Sequence, residues 1–280
     1  MFEWKNIFRG MMIGISDLVP GVSGGTIAVI LGIYDRLIAA ISGFFSRKWK
    51  DYLGFLVPLA IGAVLAIFLL SHLIKWLLEY YPQPTYFFFL GLIGGIIPYL
   101  FSKIDYKNTF KPAHYFALVV ASIAIGSTVF FVERESHTLI ETVTASTGLV
   151  LFFSGWIASM AMLLPGISGS FVLLLLGVYH SVIHALAELN ILIILLVGFG
   201  VGVGLIVSSK IIRFLLKTLP VLTYAIIIGM VIGSIVVIFP GIENNLMLLI
   251  VSIVTFIAGF FVATFFGKME NNRNGNGKLS

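Results

Sequence analysis

Apolar residues occur along this chain in runs rather than stripes. Near 53–71, 86–102, 114–132, 191–209, 221–239 and 246–266 nearly every position is hydrophobic. Such runs predict helices that meet an apolar environment on all sides. At about 20 residues each is long enough to cross a bilayer core of ~30 Å. Two further apolar stretches, 10–34 and 154–178, are interrupted. Leu18 to Tyr34 read LVPGVSGGTIAVILGIY, and Leu163 to Tyr179 read LLPGISGSFVLLLLGVY. Proline removes a backbone donor and glycine loosens a helix, so each Pro-Gly-x-Ser-Gly predicts a broken helix inside apolar surroundings.

The break is made twice, 145 positions apart, with Pro20, Gly21, Ser23, Gly24, Gly32 and Tyr34 matched by Pro165, Gly166, Ser168, Gly169, Gly177 and Tyr179. A second correspondence follows at an offset of 138. Lys75-Trp-Leu-Leu with Pro82, Thr85, Tyr86 and Gly91 pairs with Arg213-Phe-Leu-Leu, Pro220, Thr223, Tyr224 and Gly229. The chain is thus one integral membrane domain, 1–280, with a first repeat over 1–141, a second over 142–268 and a polar tail over 269–280. Residues 142–153 fit either an interfacial helix or part of a longer span.

Composition fixes the solvent: 59% of residues are hydrophobic, 10% are charged, and mean hydropathy is +1.10, well outside the range of soluble domains. The absence of cysteine excludes disulfides and thiolate metal sites. No signal-peptide cleavage pattern precedes the first motif. The net charge of +5 raises nucleic acid as a partner, but its distribution points to membrane orientation. Fifteen of the 17 Lys and Arg fall in a few clusters, leaving Lys75 and Arg134 apart. If those clusters are cytoplasmic, residues 10–34 have basic flanks on one side and must enter and return, as two half-helices of ~15 Å. Residues 154–178, flanked by Glu133 to Glu141 and His180 to Glu188, dip from the other face. Each half then holds one re-entrant helical hairpin and about three transmembrane helices, and three is odd, so the halves are inverted. The expected fold is an all-α polytopic membrane protein of two inverted-topology repeats, the architecture of secondary transporters. Proline-kinked spans after a simple duplication are the plainer alternative.

A broken helix whose N-terminus lies at mid-membrane presents backbone N–H groups and suits an anion such as phosphate. Ser23, Thr26, Ser168 and Ser170 add hydroxyls. The plainer reading is that these glycines let helices pack closely. Asp17 is the one acid of the first hairpin, matched by Met162 in the second. An ionisable group at that depth marks a functional site, holding a proton or cation, or it caps the loop. Lys75 and Arg213, on amphipathic stretches joining two spans, either snorkel to the interface or gate it for an anionic headgroup. His180, His184 and Glu188 share one helical face, better read as interfacial than as metal ligands. No G-x-S-x-G elbow, HExxH or P-loop occurs, and neither motif holds a His or Cys, so no enzyme, cofactor or metal is expected.

The stretches SDLVPGVSGGTIAVILGIYDRL and MLLPGISGSFVLLLLGVYHSV resemble the bacterial undecaprenyl phosphate translocase family, long catalogued as a membrane domain of unknown function. The resemblance covers nearly the whole chain. It implies return of the lipid carrier of cell-wall synthesis from the outer to the cytoplasmic leaflet of the bacterial plasma membrane, with both termini cytoplasmic. It also implies a phosphate site at Asp17, Pro20, Gly21, Ser23, Gly24, Gly25 and Thr26, with Pro165, Gly166, Ser168, Gly169 and Ser170. The second copy departs from the first at Ser170, which stands where Gly25 does, and at Met162. Physically, the tail of a polyprenyl phosphate stays in lipid while its head needs a partner, since burying that charge unpaired is prohibitive. Proton co-transport through Asp17 would offset the cost of moving the anion inward. A secondary transporter of a small soluble anion is the competing class.

Overall fold

The computed structural model describes all residues except 1, 2, 20, 45, 47, 48, 132–139, 141, 142 and 277–280, and it does not describe the side chains of 131, 187 and 269–276. Thirteen α-helices make up the described regular structure, with one short 3₁₀ turn, Ser127–Phe131. They are α1 (Lys5–Asp17), α2 (Gly24–Ile30), α3 (Tyr34–Gly43), α4 (Trp49–Tyr80), α5 (Pro82–Lys103), α6 (Tyr106–Thr109), α7 (Pro112–Gly126), α8 (Ala145–Leu163), α9 (Gly169–Leu175), α10 (Tyr179–Ala187), α11 (Ile191–Thr218), α12 (Pro220–Ile238) and α13 (Leu246–Asn276). Among the described residues seven helices are long and apolar enough to cross a membrane: α4, α5, α7 with its 3₁₀ extension, α8, α11, α12 and α13. The six uninterrupted runs all form such helices.

Both motifs break the chain where the sequence places the break. Gly21 and Gly166 take φ of +83° and +90°, and Gly32 and Gly177 take +68° and +71°. These left-handed turns come naturally only to glycine, and they occur at matched positions in the two halves. The seven-residue α2 and α9 therefore lie between two turns, and α9 meets α10 at a bend of 116°.

The limbs before the breaks are longer than the expected ten residues. α1 has 13 residues and α8 has 19, and α8, at about 28 Å, alone suffices to span. Residues 145–153 thus belong to a long helix and not to a separate interfacial one. The reason is local: the Thr144 hydroxyl accepts the Thr147 N–H and the Thr147 hydroxyl accepts the Thr144 N–H, a capping box that starts a helix at polar residues. Lys75 and Arg213 likewise lie near the ends of the continuous helices α4 and α11.

Packing repeats as the sequence does. α1 lies against α4, and α8 against α11. The other two pairs cross between halves, α5 with α13 and α12 with α7. Small residues allow the close approach. A Cβ on Gly91 would overlap Phe256 O on α13, and one on the matched Gly229 would overlap Leu118 O on α7. The main core runs through α2, α3, α5 and α12, with Ile30, Ile38, Ile93, Ile96, Ile227 and Ile228 fully enclosed. A smaller cluster of Leu151, Val178, Ala185, Ile193 and Val197 stands apart under α10.

Candidate functional site

The two broken segments meet. Tyr34, on the first residue of α3, donates its hydroxyl to Leu163 O at 3.1 Å, and Ser23 donates to Leu164 O at 3.3 Å. In return the Gly166 N–H donates to Thr26 Oγ1 at 2.8 Å. Gly25 presses on the same strip of backbone, where a Cβ would sit 3.2 Å from Met162 O and 3.3 Å from Leu163 O. Side chains of the first tip therefore grip the main chain of the second. Each of these buried peptide groups would otherwise cost about 1–3 kcal/mol unsatisfied.

At the N-terminus of α2 the first amides are already taken. Asp17 Oδ1 accepts the Gly24 N–H at 3.1 Å, and Ser23 Oγ accepts the Gly25 N–H at 3.2 Å. At α9 the matched Ser168 forms no such cap, and its hydroxyl pairs with Ser170 Oγ at 2.8 Å. Met162 stands where Asp17 does in the first copy, and among the described residues no side chain caps α9. The two helix starts have the same backbone path and different caps: side chains accept the first amides of α2, and the N-cap Ser168 makes no such bond at α9.

A cavity of about 380 Å³ lies where the tips join. Its wall takes Asp17, Ser23 and Gly24 from the first segment and Ser168, Gly169 and Ser170 from the second. Met162 and Ser159 of α8, Ile67 of α4, Val201 of α11, and Tyr179, Val182 and Ile183 of α10 complete much of it. No Lys or Arg lines it among the described residues. Six of the sequence-derived site residues are thus brought together at one wall. Gly25 and Thr26 sit behind that wall, holding the tips together, and Pro165 is buried behind it. Gly21 and Gly166 border a crevice on the far side of Ser168, against Ile125 and Val237. Pro20 lies outside the described residues, as do Arg134 and most of the Glu133 to Glu141 segment.

Lys75 and Arg213 are not at the cavity. Lys75 is exposed on α4, while Arg213 Nη1 donates to Ser42 Oγ on α3 at 3.0 Å. Ser159, Ile67, Val182 and Ile183 are wall residues that the motifs do not reveal. Ser159 has a signal, since it stands on the small-residue face Ser154, Gly155, Ala158 of α8 and matches Gly14 of α1 at the 145 offset. The α4 and α10 residues carry none, because they are ordinary aliphatic positions of apolar helices.

A family model described as undecaprenyl phosphate translocase-like matches residues 13–249. The chain belongs to this family. It is 48% identical over 276 residues to a Staphylococcus aureus protein named polyprenyl-phosphate transporter, covering 96% of this chain and 97% of that one. A Vibrio cholerae protein of the same name is 35% identical over 250 residues, covering 84% of this chain and 77% of the relative. No solved structure matches. This is a multi-pass membrane protein of a polyprenyl-phosphate transporter family, and the cavity at the joined tips is its candidate substrate site.

Proposed function

We propose that the chain carries polyprenyl phosphate from the outer to the cytoplasmic leaflet, returning the lipid carrier used in cell-wall polymer synthesis. The phosphate is held at the uncapped start of α9, by Ser168, Ser170 and the adjoining amides, with Asp17 and Ser23 facing it. The two halves are inverted repeats, their broken segments re-entrant from opposite faces, with both termini cytoplasmic in the bacterial plasma membrane. The observation that carries this reading is the cavity itself: hydroxyls from both tips converge on one wall, while the rest is mostly aliphatic, Ile67, Leu173, Val182, Ile183 and Val201, with Ser159 and Tyr179. A small soluble anion would gain nothing from Ile67, Leu173, Val182 and Ile183.

Charge supports coupling to protons. A phosphate head carries about −1.5 to −2 near neutral pH, and the cavity already holds the Asp17 carboxylate with no basic residue among its described lining. Two anions in a low-dielectric site repel strongly, so the pair must take up a proton, and Asp17 is the protein's own carboxyl in the lining that can carry it. Moving the head inward also opposes an interior-negative potential by about 2.3 kcal/mol per charge per 100 mV. Protonation at Asp17 removes part of that cost on each cycle.

The test is a leaflet-resolved assay in proteoliposomes with labelled polyprenyl phosphate. Asp17→Asn keeps an acceptor for the Gly24 N–H, so the tip stays capped, but it cannot release a proton. We expect it to slow transport and to abolish the response to a pH gradient. Ser168→Ala combined with Ser170→Ala should weaken binding at least about tenfold, as two lost hydrogen bonds to a charged group imply. Wild-type transport indifferent to both pH gradient and potential would refute the coupling. Full activity in the double serine variant would move the phosphate elsewhere.

A further inference from the structure

Among the described residues the cavity takes Tyr179, Val182 and Ile183 of α10 into its lining and none of α3, which packs on α11. Between α4 and α10 its wall is built from Ile67 on one helix and Val182 and Ile183 on the other, and Ile67 and Ile183 are 38% and 47% exposed. These two residues therefore belong both to the cavity and to the outer surface of the helix bundle. No packing comparable to that of α3 on α11 joins α10 to α4. Ile67, Val182 and Ile183 share one cavity with Ser168 and Ser170, and none of the three is charged.

Size limits what can enter. A volume of about 380 Å³ lies in the range that encloses one drug-sized molecule. That is room for a phosphate and the first few prenyl units, not for a whole polyprenyl chain. Resting on the carrier reading above, we infer that the α4–α10 gap seats the phosphate-proximal prenyl units and passes the remainder of the tail sideways into lipid. Selection then acts on a phosphate joined to a short branched isoprenoid stem, and is blind to chain length beyond it. The aliphatic wall holds the stem by close packing in place of fluid lipid contacts. The distal tail stays in hydrocarbon throughout and gains nothing from the protein.

Binding to the purified protein, read by displacement of a photoreactive farnesyl phosphate, tests this directly. Farnesyl phosphate, with three prenyl units, and a long polyprenyl phosphate should compete within about threefold of each other, whereas inorganic phosphate and farnesol should each be weaker by at least about tenfold. Ile183→Trp and Ile67→Trp should weaken both prenyl phosphates by at least about tenfold. Leu195→Trp, at a more exposed aliphatic site on α11 outside the cavity lining, should leave them unchanged. In the wild type the photolabel should fall on α4 and α10, a result independent of any variant's folding. Affinity that climbs steadily with chain length, labelling on other helices, or tight binding by both gap variants would overturn the inference while leaving the carrier reading intact. Failure of the wild type to bind either prenyl phosphate would overturn both.

Discussion

The helices that trail the two tips, α3 and α10, begin at matched tyrosines and yet are held very differently. α3 is pinned from several directions. Asp35 accepts from Tyr224 Oη of α12 at 2.7 and 2.8 Å and from Lys103 Nζ of α5 at 2.7 Å. The Lys103 ammonium also lies 4.9 Å from the Tyr224 ring centroid. Arg36 forms a two-pronged ion pair with Glu3 and stacks over Phe55, and Arg213 reaches Ser42 from α11. Tyr34, Ile38 and Ala40 are part of the main core. α10 instead carries His180 at the position of Asp35 and Ser181 at that of Arg36, and it rests on its own small cluster. One backbone plan carries charged ties on α3, whereas on α10 the Ser181 hydroxyl accepts the Ile140 N–H at 2.9 Å.

The sharpest way to probe the inequality of the halves is at the paired turns. Gly21→Ala and Gly166→Ala both force a side chain into a left-handed conformation, costing about 1–2 kcal/mol. Beyond that the surroundings differ. A Cβ at position 21 meets Ile238 Cγ1 at 3.3 Å, a side chain that can give way, whereas one at 166 meets Met230 O at 2.5 Å, a fixed carbonyl. Gly166→Ala should therefore cost about 1–3 kcal/mol more through overpacking, visible as a markedly lower unfolding temperature in detergent. It should also disturb the Gly166 N–H bond to Thr26 and with it the join between the tips. Equal losses in the two variants would mean that the second tip yields as easily as the first.

A smaller effect is expected at Asp35. Asp35→Ala leaves the nearly buried Tyr224 hydroxyl and the Lys103 ammonium without their shared acceptor, a loss of about 1–3 kcal/mol. Since those bonds fasten α3 to α5 and α12, α3 should loosen. Cysteines placed along α3 should react faster with a membrane-impermeant maleimide, while cysteines on α10 keep their rate. Asp35→Asn retains an acceptor for Tyr224 but not the charge for Lys103, and should fall between. A variant in which α10, rather than α3, changed its reactivity would show that these ties do not hold α3 in place.

Much of this arrangement is legible in the sequence. The PGxSG breaks, the 138-residue correspondence around Pro82 and Pro220, and the all-helical membrane class follow from local rules of helix breaking and from hydrophobic run length. The meeting of the tips does not follow, because Thr26 and Gly166 are 140 positions apart and neither carries a periodic signal. Thr26 reads as a ligand hydroxyl, whereas its bond is to the other tip. The extra length of α8 is hidden because Thr144 and Thr147 look like polar linker, whereas polar residues at a helix start are caps. The contrast between capped α2 and uncapped α9 is half visible, in the exchange of Asp17 for Met162. Its meaning requires knowing which oxygen faces which amide.

The mildest test concerns the matched basic pair. Arg213→Ala removes the bond to Ser42, and Ser42→Ala removes the same bond from the other side. A half-exposed hydrogen bond of this kind contributes about 0.5–1.5 kcal/mol, so each single variant should lose no more than that. If the pair acts as a unit, the double variant should be scarcely worse than either single one, with an interaction energy of at least about 0.5 kcal/mol. Lys75→Ala, at the equivalent position on α4 where the side chain is exposed, should change unfolding by less than about 0.5 kcal/mol. Strict additivity of Arg213→Ala and Ser42→Ala would show that Arg213 serves α11 through its aliphatic stem alone. The tie between α11 and α3 would then rest on packing, and the asymmetry of the two basic residues would be one of burial and not of bonding.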